Sequence, residues 1–341
     1  MCGNLLSGNY NQLKSDTSVV NMSAWVQLLY CVSLVLGSSL AEITARNERP
    51  IIGILAQESY SINKFFPNED VHSFIAASYV KFVESSGGRV LPIMIGHDKD
   101  YYYNIINKTN GLLLPGGGVW FNETKGYAEA GQHLYDAALA LNKAGDFYPI
   151  WGTCLGMELI PYVALNGEEL RAHCYSKKIS LPLDFKPDYK SSRLFSTAPK
   201  EIINILKTEN VTVNSHGFCF TEANFTRYNL TDEWKVLSTN VDRDGLEFIS
   251  SYEHKSLPFY GVQFHPEKNL FEFERAPTTL HTSNAIKTSS YFADFFVDEC
   301  RKNGHNFEKE LAKDLIYKYA PRYIGILGSI YEQVYIFSSK D

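Results

Sequence analysis

The segment Tyr148-Pro149-Ile150-Trp151-Gly152-Thr153-Cys154-Leu155-Gly156 constrains this chain more than any other. An apolar, β-prone stretch runs into Gly-Thr-Cys-Leu-Gly, and the helix-compatible Met157-Glu158-Leu159-Ile160 follows. Strand, sharp turn and helix in that order make a nucleophile elbow of the G-x-S-x-G kind, with Cys in place of Ser. The turn forces Cys154 into a strained backbone conformation, and a side chain two residues to either side would collide with the neighbouring strand or helix. A helix starting near Leu155 aims its first N–H groups and its positive dipole end at the sulfur, which favours thiolate. Taken alone, the same residues also suit a buried structural Cys after a core strand.

A second apolar strand, Phe259-Tyr260-Gly261-Val262-Gln263-Phe264, ends at His265-Pro266-Glu267. Pro266 cannot continue a ladder, so His265 and Glu267 fall at the strand's C-terminal end. Ligands of open parallel sheets bind outside those ends, where Cys154 and His265 can meet despite their separation in sequence. His265 can then take the thiol proton and return it to a leaving amine, while Glu267 orients the ring. A third segment, Gly111-Leu112-Leu113-Leu114-Pro115-Gly116-Gly117-Gly118, carries a short apolar strand into a glycine loop. An N–H of that loop, taken as Gly117, together with the Leu155 N–H, forms an oxyanion hole, typically worth about 3–4 kcal/mol per donor. Phosphate cradling fits less well, because neither Gly-Lys-Ser/Thr nor G-x-G-x-x-G is present.

Leu-Pro-Gly-Gly, Gly-Thr-Cys-Leu-Gly and His-Pro-Glu, in that order, resemble the class I glutamine amidotransferase-like superfamily. Within it, Trp151 to Gly156 and Gly261 to Glu267 are similar to the γ-glutamyl hydrolase family, and the likeness runs from Arg49 to Tyr335-Ile336-Phe337. The resemblance implies Cys154 as nucleophile, His265 as base and Glu267 as third member. Asn214-Ser215-His216 resembles the segment that carries the family's second important His, although Gly217-Phe218 depart from the pattern. A structural hydrogen bond at a strand end is the other reading of His216. Amidotransferase domains commonly carry Gln four residues after the nucleophile, and this chain has Glu158 there. A carboxylate suits an α-ammonium or a positioned water, and it can equally just pair on the elbow helix. The expected activity is hydrolysis of γ-glutamyl amide bonds in folyl and antifolate poly-γ-glutamates through a thioester on Cys154. A glutaminase or amidotransferase, a γ-glutamyl-transferring enzyme and a non-catalytic secreted glycoprotein are the alternatives.

At 341 residues, 45% hydrophobic and 21% charged, the chain can bury a large core. A net charge of −6 without a basic stripe argues against nucleic acid as partner. It also means that a polyanionic substrate needs local Lys or Arg, which the sequence does not single out. No CxxC pair, H-E-x-x-H or other metal spacing occurs, so no metal or cofactor is expected. Whether the chain forms a homodimer is left open.

The apolar run Leu28 to Leu36, followed by Gly37-Ser38-Ser39-Leu40-Ala41, reads as a signal peptide over residues 1–41, with an optional extension before Met22. The run is short for a membrane span, so no stable insertion is expected after cleavage. Residues 42–341 then form one catalytic domain, secreted or lysosomal. Secretory entry gives meaning to the sequons at Asn107, Asn122, Asn210, Asn224 and Asn229. With Cys154 reserved, Cys174, Cys219 and Cys300 allow at most one bridge within the chain.

Alternating strands (51–56, 90–95, 112–114, 150–153) and helices (72–86, 101–106, 127–144) predict an α/β fold. Its doubly wound, mostly parallel central sheet is flavodoxin-like, with helices on both faces. Strand-like segments at 179–185, 211–220, 234–239, 246–252 and 259–264 predict an antiparallel extension that returns to the sheet. A last amphipathic helix spans 284–303, with Tyr291, Phe292, Phe295 and Phe296 as core.

Overall fold

The computed structural model describes residues 46–273 and 278–341. The expected signal peptide and the Met22 start lie outside them. Strands come in the order β1 (Ile51–Leu55), β2 (Gln57–Glu58), β3 (Ser73–Ala76), β4 (Arg89–Ile93), β5 (Gly111–Leu114), β6 (Ile150–Thr153) and β7 (Ala172–Leu181). They continue with β8 (Asp184–Phe185), β9 (Thr212–Cys219), β10 (Trp234–Val241), β11 (Glu247–His254), β12 (Phe259–Val262), β13 (Arg322–Tyr323) and β14 (Gln333–Phe337). The principal helices are α1 (Ala77–Glu84), α2 (Lys99–Ile106), α3 (Tyr127–Lys143), α4 (Leu155–Ala164), α5 (Lys200–Thr208), α6 (Pro266–Phe271) and α7 (Ser283–Cys300).

Eight strands form the main sheet in the order β4-β1-β5-β6-β12-β11-β10-β8. The first five are parallel, and β11, β10 and β8 join antiparallel. This is the doubly wound sheet with an antiparallel extension that the sequence predicts. Because successive strand residues point to opposite faces, Ile52, Ile54, Leu113 and Trp151 enter the core under α1 and α7. Ile51, Leu55, Leu112, Leu114 and Ile150 enter the core under α2, α3 and α4. Trp151 is fully buried and packs against Phe292, Phe295 and Phe296 of α7, so these aromatics are core as expected.

Three local expectations are corrected. Ser73 to Ala76 is a strand, and the helix begins only at Ala77. The helical spacing of its apolar residues is overridden because β14 pairs antiparallel along it, with Val334 opposite Ala76 and Phe337 opposite Ser73. β14, β13 and β2 complete a second, four-stranded sheet. The strand expected at 179–185 instead starts at Ala172 and stops at Leu181, before Pro182, with Asp184–Phe185 a separate short strand. Finally, β7 and β9 form a two-stranded ribbon of their own. Cys174 and Cys219 bridge this ribbon, and Cys300 is free and buried in α7.

Candidate active site

The sequence-predicted elbow is present in detail. β6 ends at Thr153, Cys154 adopts φ 51°, ψ −110°, and α4 starts at Leu155. A positive φ at a non-glycine residue is strained, and the packing around it holds it there. A Cβ at Gly152 would lie 2.5 Å from the Gly156 carbonyl oxygen, and one at Gly156 would lie 1.9 Å from the Leu114 oxygen. Both positions are therefore closed to any side chain. The Cys154 N–H donates to the Val262 oxygen at 2.8 Å, which ties the turn to β12.

β12 runs parallel beside β6, with Val262 opposite Thr153, so both chains leave the sheet at the same edge. His265 follows at the N-terminus of α6, and its N–H donates to the Val213 oxygen at 2.8 Å. Its Nδ1 lies 2.7 Å from Glu267 Oε1, and both residues are buried. Its Nε2 is buried without a partner among the described residues. The position a Gly116 side chain would occupy lies 2.7 Å from His265 Cε1 and 3.1 Å from Cys154 Cβ. Thiol and imidazole thus pack against the same glycine. With Nδ1 held by the carboxylate, Nε2 is the nitrogen left to exchange a proton with the sulfur.

Several groups with no sequence signal complete the site. Tyr79 on α1 accepts the Gly116 N–H at 2.8 Å, and its hydroxyl lies 3.4 Å from His265 Nδ1. Gln57 donates to the Gly116 oxygen at 3.0 Å, and Tyr127 donates to the Pro115 oxygen at 2.7 Å. These bonds fix the glycine loop and occupy the Gly116 amide, and the next loop residue, Gly117, lines the same cavity as Cys154. Gln263 does carry a sequence signal, as a lone amide in an apolar strand. It donates to Glu158 at 3.0 Å.

A cavity of about 270 Å³ opens on Cys154 and brings together Gly117, Leu155, Glu158, His216, Arg171 and Lys177. His265 and Glu267 do not line it. Glu158 is buried, and its two oxygens accept from Gln263 and from Arg171 at 3.1 Å. It is therefore both a wall of the cavity and a paired group. Burial pushes its carboxyl up to about 7. Arg171 also pairs with Glu169 at 2.6 Å and is stacked on Phe121 and Phe218. His216 is buried, with Nδ1 2.9 Å from the Phe218 oxygen and Nε2 3.2 Å from Asn214 Oδ1. Burial lowers it to about 4, so at neutral pH the ring is uncharged. Of the sequons, Asn107, Asn122, Asn210 and Asn229 are exposed and Asn224 is half-buried in a helix cap.

One expectation about charge is reversed. Burial, then the carboxylates of Glu158 and Glu267, push the Cys154 thiol up, outweighing the Leu155 N–H and Lys268 that favour thiolate. These surroundings favour the neutral thiol over the thiolate.

The sequence profile of the family described as Peptidase C26 matches residues 50–267. The rat (Rattus norvegicus) gamma-glutamyl hydrolase is 39% identical over 93% of this chain and 98% of its own length. The mouse (Mus musculus) gamma-glutamyl hydrolase is 41% identical over 85% of this chain and 90% of its own. Gamma-glutamyl hydrolase B of Dictyostelium discoideum is 38% identical over 91% and 89%. A profile that spans the elbow, the glycine loop and His-Pro-Glu, with relatives aligned along nearly their whole lengths, places this chain in the Peptidase C26 family.

Proposed function

We propose that this protein is a thiol-dependent γ-glutamyl hydrolase that cleaves the γ-amide bonds of folyl and antifolate poly-γ-glutamates. The observation that carries the reading is the packing of Cys154 and His265 against one glycine, with His265 fixed by Glu267 at 2.7 Å. The names of its relatives supply the bond. His265 Nε2 takes the thiol proton as Sγ attacks the γ-carbonyl carbon. The resulting oxyanion accepts from the Gly117 and Leu155 N–H groups, while Glu267 stabilises the imidazolium. His265 then protonates the leaving amine, and a γ-glutamyl thioester remains on Cys154. Water, deprotonated by the same nitrogen, attacks the thioester and restores the thiol. Glu158 and His216 shape the cavity beside the reacting carbon.

In the same reading, residues 1–41 are a signal peptide and 42–341 the catalytic domain, which acts outside the cell or in the lysosome. The Cys174–Cys219 bridge supports an oxidising route, and the exposed sequons are accessible to glycosylation. Among the described residues, no helix is long and apolar enough to cross a membrane.

The test is cleavage of pteroyl-penta-γ-glutamate at pH 5–7 by wild type and Cys154→Ala, with products separated by chain length. Activity lost only in the variant is the expected result. Equal activity in both would remove Cys154 from the mechanism, and a folded wild type that cleaves nothing would retire the substrate.

A further inference from the structure

A chain of net charge −6 that acts on a polyanion needs a local cation at its site. The cavity beside Cys154 contains two, Arg171 and Lys177, and they differ in kind. Arg171 is buried and already neutralised by Glu158 and Glu169, and its guanidinium is stacked on two rings. Its hydrogen bonds and charge are spent within the protein. Lys177 is exposed at the cavity wall, and its ammonium has no carboxylate or hydrogen-bond partner among the described residues.

The backbone around Lys177 is built to place it. β7 pairs with β9 with Ser176 opposite His216 and Lys177 opposite Ser215, and then the register slips before Ile179 meets Asn214. The extra residue is Lys178, which sits at φ 54° in the left-handed region. Such a bulge bends its strand and redirects the neighbouring side chain. Arg243 holds it, donating to the Lys178 oxygen at 3.0 Å and the Lys177 oxygen at 3.3 Å. A strained, braced bulge thus carries an uncompensated ammonium into the wall of the cavity that contains the thiol. Every residue of a poly-γ-glutamate chain carries one free α-carboxylate, so a carboxylate always flanks the scissile bond.

We infer that Lys177 is the specificity residue of this site and that its ammonium receives the α-carboxylate flanking the scissile γ-amide. The inference rests on the proposed hydrolase activity and names what that activity selects. Lys177 acts on binding, because it offers a charge to a group remote from the reacting carbon and shares no hydrogen bond with Cys154 or His265.

The experiment is steady-state kinetics on pteroyl-penta-γ-glutamate and on the same compound with its α-carboxylates converted to carboxamides. Wild type should show a KM about fivefold higher for the carboxamide, the ratio expected of one solvent-accessible ion pair. Lys177→Met should raise KM for the carboxylate substrate about fivefold with kcat retained, and should no longer distinguish the two compounds. The rise of KM with added NaCl should flatten in that variant, and Lys177→Arg should restore wild-type behaviour. A Lys177→Met enzyme with wild-type KM, discrimination and salt dependence would overturn the inference while leaving the hydrolase standing. A wild type that cleaves neither compound would instead remove the activity and the inference together.

Discussion

The parallel half of the main sheet and the β7–β9 ribbon meet at one cavity, yet they are built differently. β1, β5, β6 and β12 are buried along their whole lengths, and they position the elbow, the glycine loop and His265. The ribbon is mostly only half-buried or exposed along β7, is held by a disulfide and a braced bulge, and contributes His216 and Lys177. Chemistry that tolerates displacements of only tenths of an ångström sits on the close-packed part. Recognition, which tolerates more, would on the proposed reading sit on the part that is stapled.

This contrast implies that changes on the parallel side destroy turnover while changes on the ribbon tune it. The largest effect is expected from Cys154→Ala, a fall in kcat of about 10⁴- to 10⁶-fold, measured with enzyme whose circular dichroism is unchanged. A residual rate within tenfold of wild type would break the division of labour. Glu267→Gln should lower kcat by roughly 10²- to 10⁴-fold, because the amide can offer the His265 ring an N–H and favour the wrong tautomer. If only KM moved, Glu267 would belong with the recognition groups.

On the ribbon, replacing Cys174 and Cys219 with Ala should cost about 2–4 kcal/mol by chemical denaturation, given a separation of 45 residues, with kcat changed less than threefold. Loss of kcat in the folded variant would show that the ribbon also orders the reacting groups. The smallest effect concerns pH. Burial raises the Glu158 carboxyl to about 7, so its charge is lost as pH falls through that value. Glu169, beside it, is held below its usual range by Arg171 and stays ionised, and His216 stays neutral down to about 4. The cavity therefore becomes more positive on acidification, and KM for a polyanion should fall about two- to threefold between pH 8 and 5.5. Glu158→Gln should flatten that profile, and a wild-type KM that is constant or rises in acid would count against it.

The same division decides what could be read from the chain beforehand. Gly152, Gly156, the Leu114-Pro115-Gly116-Gly117 loop and His265-Pro266-Glu267 are legible because each is a local solution to a steric problem at a strand end. The alternation of strands and helices up to Thr153 is legible for the same reason. Ser73 to Ala76 reads as helix because what makes it a strand is β14, near the other end of the chain. Choosing Cys219 for Cys174 requires the ribbon's register, and recognising Arg171 or Tyr79 requires knowing which side chains share one wall. The upward push of burial on the Cys154 thiol has no sequence signal either, since helix position is a sequence property and depth of burial is not.

The pairing of β14 with β3 also has a consequence in time. β3 leads directly into α1, whose Tyr79 holds the Gly116 amide beside the thiol, and the neighbouring strand β2 carries Gln57, which holds the Gly116 carbonyl. β14 (Gln333–Phe337) follows β3 (Ser73–Ala76) far along the chain, so a ribosome makes the strand that flanks β3 long after β3 itself. Cys154, His265 and Glu267 are made earlier, but the frame that holds the loop is completed only when β14 has been added. The enzyme is thus expected to be born inactive and to switch on as a whole.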